Sequence, residues 1–206
     1  MAAEFLLYGD IGADVRADAL LRTIRRAEAD GDALLIRINS LGGEVFEGIA
    51  MAEAIADTQA DIAVAIDAVA ASAASIVAIA SPAVSIAADA FVMIHQPWGI
   101  TAGDAAEHKR AAGMLNRLAD RMARTYARRM KISADRVMSM MREETWFCGA
   151  EAVAAGLADA VKPARKVRAP ASALSHRRTP KALSCRTPAI DRVRTQLELA
   201  ALRARL

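Results

Sequence analysis

The sequence predicts an α/β fold in which strands and helices alternate along one wound sheet. Three observations lead there. Short apolar runs closed by turn residues are followed, again and again, by segments with helical spacing of apolar positions. The chain is 54% hydrophobic but only 4% aromatic, so alanine and small aliphatic residues must build a core whose layers approach closely. Its 206 residues suffice for one such domain of about 150–160 residues with an appendage.

The elements follow in order. Phe5–Tyr8 is a short apolar run ended by Gly9-Asp10 and reads as a strand. Leu20, Leu21, Ile24 and Ala27 share one face of a helix over 17–29, which Asp30-Gly31-Asp32 stops. A strand over 33–38 runs into Asn39-Ser40-Leu41-Gly42-Gly43, and a helix over about 44–57 buries Val45, Ile49, Ala52 and Ile55. A third strand over 61–66 opens onto a small-residue turn and an apolar helix from Ser72 to Ala80. Strands over 83–87 and 91–94 come next. After a loop with Trp98, Gly99 and Gly103, a long helix over about 104–130 carries the stripe Leu115, Leu118, Met122 and Tyr126. Ser133 caps a further helix through Met141. Glu144-Thr145-Trp146-Phe147-Cys148 leads to a short helix near 150–155, with Gly156 at its C′ position.

Beyond Val161 the composition changes. Residues 1–161 carry 15 Lys+Arg against 22 Asp+Glu, a net of −7, whereas 162–206 carry 12 against 2, a net of +10. The basic character therefore belongs to the C-terminal part. Four of the six prolines lie in 162–189, a basic linker expected to be disordered. Ile190, Val193, Leu197 and Leu202 suit a short amphipathic helix over 190–206. The expected organisation is thus a domain over 1–161, the linker, and this helical tail. No apolar run is long enough to span a membrane, the start lacks the features of a secretory signal, and two cysteines do not make a disulfide framework. A cytoplasmic setting is expected.

Three segments can carry chemistry, each at the end of a strand or the start of a helix. Gly42-Gly43 can present backbone N–H groups to an oxyanion, or can form a plain strand-to-helix turn. Ser72 sits among alanines at a helix start, suited to a nucleophile, or to a packing seam in which Ser72 and Ser75 bond back to carbonyls. His95 ends an apolar strand. Of the three histidines, His108 falls on a solvated helix face and His176 in the linker, so a general base is His95 if any.

Their order is informative: Gly-Gly, then Ser72, then His95 23 residues later, then an acid beside an aromatic. Ile38-Asn39-Ser40-Leu41-Gly42-Gly43 resembles the Ile-Asn-Ser-Pro-Gly-Gly segment of ClpP-type peptidases. Ala70-Ala71-Ser72 resembles their nucleophile turn, and Met93-Ile94-His95-Gln96-Pro97 their histidine motif. Glu151-Ala152-Val153-Ala154-Ala155-Gly156-Leu157-Ala158-Asp159 is similar to their closing motif. The resemblance spans roughly residues 4–161.

It implies a ClpP/crotonase-like fold in which the long helix is a protruding handle. It implies a serine endopeptidase with Ser72 as nucleophile, His95 as general base, and Gly43 and Ala73 N–H groups as oxyanion hole. The third member falls on Glu144, seven residues before the Glu-Ala motif, where most relatives have aspartate. Leu41 stands for the usual proline, and Cys148 for a capping Ser or Thr. No cofactor and no metal are called for. Polypeptide substrates and a homo-oligomeric ring are implied, heptameric and able to stack through the handle.

The chain begins almost on its first strand, without the family's axial segment, so cleavage without an ATPase partner is expected. With Glu144-Thr145-Trp146 and the C-terminal extension, this looks more like the phage head-maturation branch, acting on capsid or scaffold proteins in the host cytoplasm or procapsid. Two other readings stay open: an inactive ring or scaffold module of the same fold, and a crotonase-like acyl-CoA enzyme. A Ser/Lys dyad would need Lys109 or Lys131, both on or near the long helix. The basic tail is either a solvated extension or a contact for scaffold, capsid lining or nucleic acid.

Overall fold

A computed structural model describes residues 3–162. Within them the strands β1 (Ala3–Tyr8), β2 (Leu34–Ser40), β3 (Ile62–Ala71), β4 (Ala83–Ala87), β5 (Phe91–Ile94), β6 (Thr145–Cys148) and β7 (Ala160–Lys162) form one sheet. Its main path is β1-β2-β3-β4-β7, and β5 pairs with both β3 and β6. Every pairing is parallel except β5 with β6. Between the strands run α1 (Ala17–Asp30), α2 (Val45–Asp57), α3 (Ala73–Ile79), α4 (Ala105–Met130), α5 (Ala134–Arg142) and α6 (Gly149–Ala154). The wound α/β class is as the sequence predicts.

Strand alternation sets the layers. Leu7, Ile38, Ile66 and Ile86 stand in one register row, and Ile36, Val64 and Val84 in another; all are buried. This is the face on which α1 and α3 pack, with α2 touching both helices. The opposite rows hold Leu6, Arg37 and Ser85, which keep some exposure.

β3 is longer than its apolar pattern announces. The sequence places a turn after Ile66, yet pairing continues through Ala71. Between Ile38↔Ile66 and Ser40↔Ala70 the β2–β3 register shifts. Such an irregularity bends a strand. Here the first half of β3 pairs with β4 (63–66) and the second half with β5 (69–71). The strand therefore carries its C-terminal end, and Ser72, away from β4 and onto β5.

α4 begins with a reciprocal cap: Asp104 accepts from the Glu107 N–H, and Glu107 from the Asp104 N–H, both at 2.9 Å. Its first turns are exposed, and its buried stripe starts at Leu118 and continues through Met122 and Tyr126. The helix thus protrudes before it joins the body, as a handle would. Ser133 caps α5, accepting from the Arg136 N–H at 3.3 Å. Gly156 takes φ 77 after α6, the left-handed conformation expected at C′.

Two strands were not foreseen. β6 and β7 hold four and three residues, too few for alternation to declare itself, and pairing with β5 and β4 defines them. The expectations for a linker over 162–189 and a helix over 190–206 concern residues outside those described, apart from Lys162, which ends β7.

Candidate active site

The register of the sheet assembles the site. Ala71 pairs with Met93, and Ser72 donates its N–H to the Met93 carbonyl at 3.0 Å. Ser72 and His95 therefore leave the same ends of adjacent parallel strands, where open α/β sheets place their sites. His95 Nε2 lies 2.7 Å from Ser72 Oγ, within reach of proton transfer.

Ser72 is strained. Its φ of 55 and ψ of −125 lie in a region that L-residues rarely enter. It stands between β3 and α3 as the N-cap, but its hydroxyl makes no cap hydrogen bond. The sharp strand-to-helix turn instead presents the hydroxyl to His95, as a nucleophile elbow does. The packing-seam alternative applies to its neighbour: Ser75 Oγ donates to the Ser72 carbonyl at 2.6 Å.

The two glycines have separate steric reasons. A Cβ on Gly42 would meet Ser72 Cβ at 2.7 Å and Ala73 N at 3.1 Å. Gly42 thus keeps the space in front of the Ala73 N–H open. A Cβ on Gly43 would lie 2.2 Å from the Ile11 carbonyl oxygen. The Ile11 N–H donates to the Gly42 carbonyl, and the Ile11 carbonyl accepts from the Glu44 N–H, which leaves the Gly43 N–H out of that pairing. Ala73 opens α3, where an N–H has no intrahelical acceptor. Gly43 and Ala73 both line one cleft of about 690 Å³ with Ser72 and His95, and Leu41, Trp98 and Ile100 line it with large exposed side chains.

His95 is half-buried. Desolvation holds its imidazole below the ordinary value of 6.5, against an opposing upward pull from the Glu144 charge. It therefore rests neutral near pH 7, able to accept a proton. Glu144 comes close because β5 and β6 are antiparallel: Ile94 pairs with Thr145, and one further step along that register sets Glu144 opposite His95. Its carboxylate, however, accepts from Trp146 Nε1 at 3.1 Å, and among the described residues its hydrogen bond goes there rather than to His95. Glu144 also takes φ 50, a left-handed turn that closes the end of α5.

The other candidates lie elsewhere. His108, Lys109 and Lys131 are exposed on or at the end of α4 and do not line the cleft. Among the described residues no cluster of three or more His, Cys, Asp or Glu is arranged to hold a metal, and no helix is long and apolar enough to cross a membrane. Cys148 is the N-cap of α6, and its N–H is satisfied by Glu151 Oε2 at 2.9 Å.

Sequence reasoning missed three supports of the site. Gln96 donates its N–H to the Met141 carbonyl at 3.1 Å, fixing the chain just after His95 to α5. Trp146 holds the Glu144 carboxylate. Ser75 bonds the Tyr126 hydroxyl at 2.7 Å. The last was open to inference, since a tyrosine on a buried helical stripe needs a partner for its hydroxyl.

The Clp protease family model matches residues 6–165. The chain is 27% identical over 166 residues to the ATP-dependent Clp protease proteolytic subunit 1 of Synechococcus sp. (strain CC9902), covering 77% of this chain and 84% of that protein. It is 32% identical over 137 residues to the ATP-dependent Clp protease proteolytic subunit of Chlorella vulgaris, covering 66% of this chain and 68% of that one. A solved ClpP1 variant from Listeria monocytogenes shares the fold with a TM-score of 0.71 at 24% identity, over 79% of this chain and 92% of that chain.

Proposed function

The chain belongs to the Clp protease family, and from that premise we propose that it is a serine endopeptidase acting through Ser72, His95 and Glu144. Ser72 Oγ attacks the carbonyl carbon of the scissile bond while His95 Nε2 takes its proton. The resulting oxyanion accepts hydrogen bonds from the Gly43 and Ala73 N–H groups. The C–N bond breaks as His95 returns the proton to the leaving amine. Water then attacks the acyl-enzyme, giving its proton to His95, which restores it to Ser72 as the product acid leaves. Glu144 steadies the imidazolium by its charge. The carrying observation is the 2.7 Å contact between His95 and a strained, cap-free Ser72.

These steps consume only peptide and water. Short peptides and unfolded casein are therefore expected to be cleaved without ATP, although the relatives are named as ATP-dependent. Wild type and Ser72→Ala, assayed side by side without ATP, test this. The variant is expected to lose at least about a thousandfold in rate; equal rates contradict the proposal. A role in phage head maturation, with capsid or scaffold proteins as substrates, is the narrower form of the reading. Cleavage of such proteins at defined bonds by wild type, and not by Ser72→Ala, checks it.

One observation favours a second reading. The Glu144 carboxylate is bonded to Trp146, which suits an inactive ring module that keeps the fold. Turnover by wild type excludes that module.

A further inference from the structure

Ser75 and Tyr126 take no part in the steps above, yet both side chains are sealed from solvent, each 0% exposed. Ser75 Oγ lies 2.6 Å from the Ser72 carbonyl oxygen and 2.7 Å from the Tyr126 hydroxyl. A serine hydroxyl has one proton to give. The carbonyl can only accept, so Ser75 donates to Ser72 and Tyr126 donates to Ser75. Burial holds the Tyr126 phenol well above its ordinary value, so its proton is in place across the neutral range. The relay is complete in one direction only, from α4 through α3 to the turn.

Where the relay ends gives it a consequence. The peptide unit is planar and trans, so the Ser72 carbonyl and the Ala73 N–H point in opposite directions. Whatever anchors the carbonyl also aims the N–H. The Ser75 N–H already bonds that carbonyl at 3.0 Å, and the shorter hydroxyl bond adds a second anchor at a residue whose backbone is strained.

We propose that Ser75 and Tyr126 are positioning residues of the peptidase site: together they hold the Ser72–Ala73 peptide plane so that the Ala73 N–H faces the developing oxyanion. The inference rests on the reading of Ser72 as nucleophile. A buried Ser–Tyr pair also adds stability, so the test must separate positioning from packing.

The test uses the full chain with a peptide substrate and a fluorophosphonate probe. Tyr126→Phe removes one hydroxyl and keeps the ring; Ser75→Ala removes the whole relay. Losing an oxyanion donor lowers kcat by about 10²–10³, and misaiming one is expected to lower it by about 10-fold in Tyr126→Phe and up to about 10² in Ser75→Ala. KM is expected to stay within about twofold, and the acid limb of the pH profile unmoved, because neither the cleft walls nor His95 is altered. The double variant is expected to be no slower than Ser75→Ala, since Tyr126 acts through Ser75. Folded variants with wild-type kcat, or losses that add, overturn the inference. If Ser75→Ala does not fold, Tyr126→Phe decides alone by the same criteria. Probe labelling at Ser72 separates the two layers. Labelled wild type with unimpaired variants sinks the positioning role only, whereas unlabelled wild type sinks the peptidase reading and this inference with it.

Discussion

Ser72 occupies backbone that costs on the order of 1–3 kcal/mol for a residue with a side chain. Glycine enters that region freely. Ser72→Gly is therefore expected to unfold at a temperature no lower than Ser72→Ala, although glycine normally destabilises, while both variants are inactive. Calorimetry on the pair reads this, and a Ser72→Gly variant several degrees less stable would show the turn is not strained. The pH profile reports His95. Its folded pKa is depressed, so the acid limb of kcat/KM is expected below 6.5. The Glu144 charge opposes that depression by favouring the imidazolium. Glu144→Gln removes the opposition, so the limb should move to still lower pH; a limb that rises or stays fixed would separate Glu144 from His95. The identities of Ser72 and His95 were legible as motifs, and Glu144 as a spacing. The strain was not, because it is set by the Ser72–Met93 ladder bond and the turn into α3. Nor was the Glu144–Trp146 contact, which depends on where an exposed carboxylate settles.

At the scale of elements, sequence pattern succeeded where a segment was long or capped. α4 and α5 begin at the caps Asp104 and Ser133, and α1 stops at Gly31 with φ 67. It failed at β6 and β7, whose few residues become strands only by lying beside β5 and β4, and at the second half of β3, whose alanines carry no alternation. Those missed pieces are the ones that aim the site, since the β3 bend delivers Ser72 and the β5–β6 register delivers Glu144. The Gly-Gly turn offers a contrast. An added methyl at Gly31 meets nothing within 4 Å, so Gly31→Ala pays only for its left-handed backbone, about 1–2 kcal/mol. At Gly43 the methyl would strike the Ile11 backbone, and the overpacking is expected to add about 1–3 kcal/mol more. Urea unfolding of the two variants measures the difference, and equal losses would contradict the close packing of Gly43 on Ile11.

Over the whole of the described residues, the sheet is covered unevenly. Helices pack on the face bearing Ile38 and Ile66, whereas the other face carries a polar cluster. Arg37 grips Asp67 through two bonds of 2.8 and 2.7 Å, and Tyr8 donates to the same carboxylate at 2.8 Å. Burial pushes Asp67 up, but the bonds from Arg37 and Tyr8 outweigh it and hold the carboxyl below its ordinary value of 3.8. A depressed carboxyl contributes stability above its unfolded value and loses it as the pH falls through the folded one. Asp67→Asn is therefore expected to lower Tm at neutral pH, with the gap to wild type narrowing below 3.8; a gap that widens on acidification would refute this. Parallel sheets are ordinarily covered on both faces, so this partly bare face fits the homo-oligomeric ring that the sequence resemblance implies. Light scattering is expected to give a multimer, and a monodisperse monomer would contradict it.

The central claim is that Ser72 is a nucleophile activated by His95. Intact-protein mass spectrometry after fluorophosphonate treatment, with the adduct mapped by digestion, tests it most directly. One adduct on Ser72 in wild type, lost in Ser72→Ala and strongly slowed in His95→Ala, is the expected result. Wild-type protein that stays unmodified, or His95→Ala that labels as fast as wild type, would contradict it.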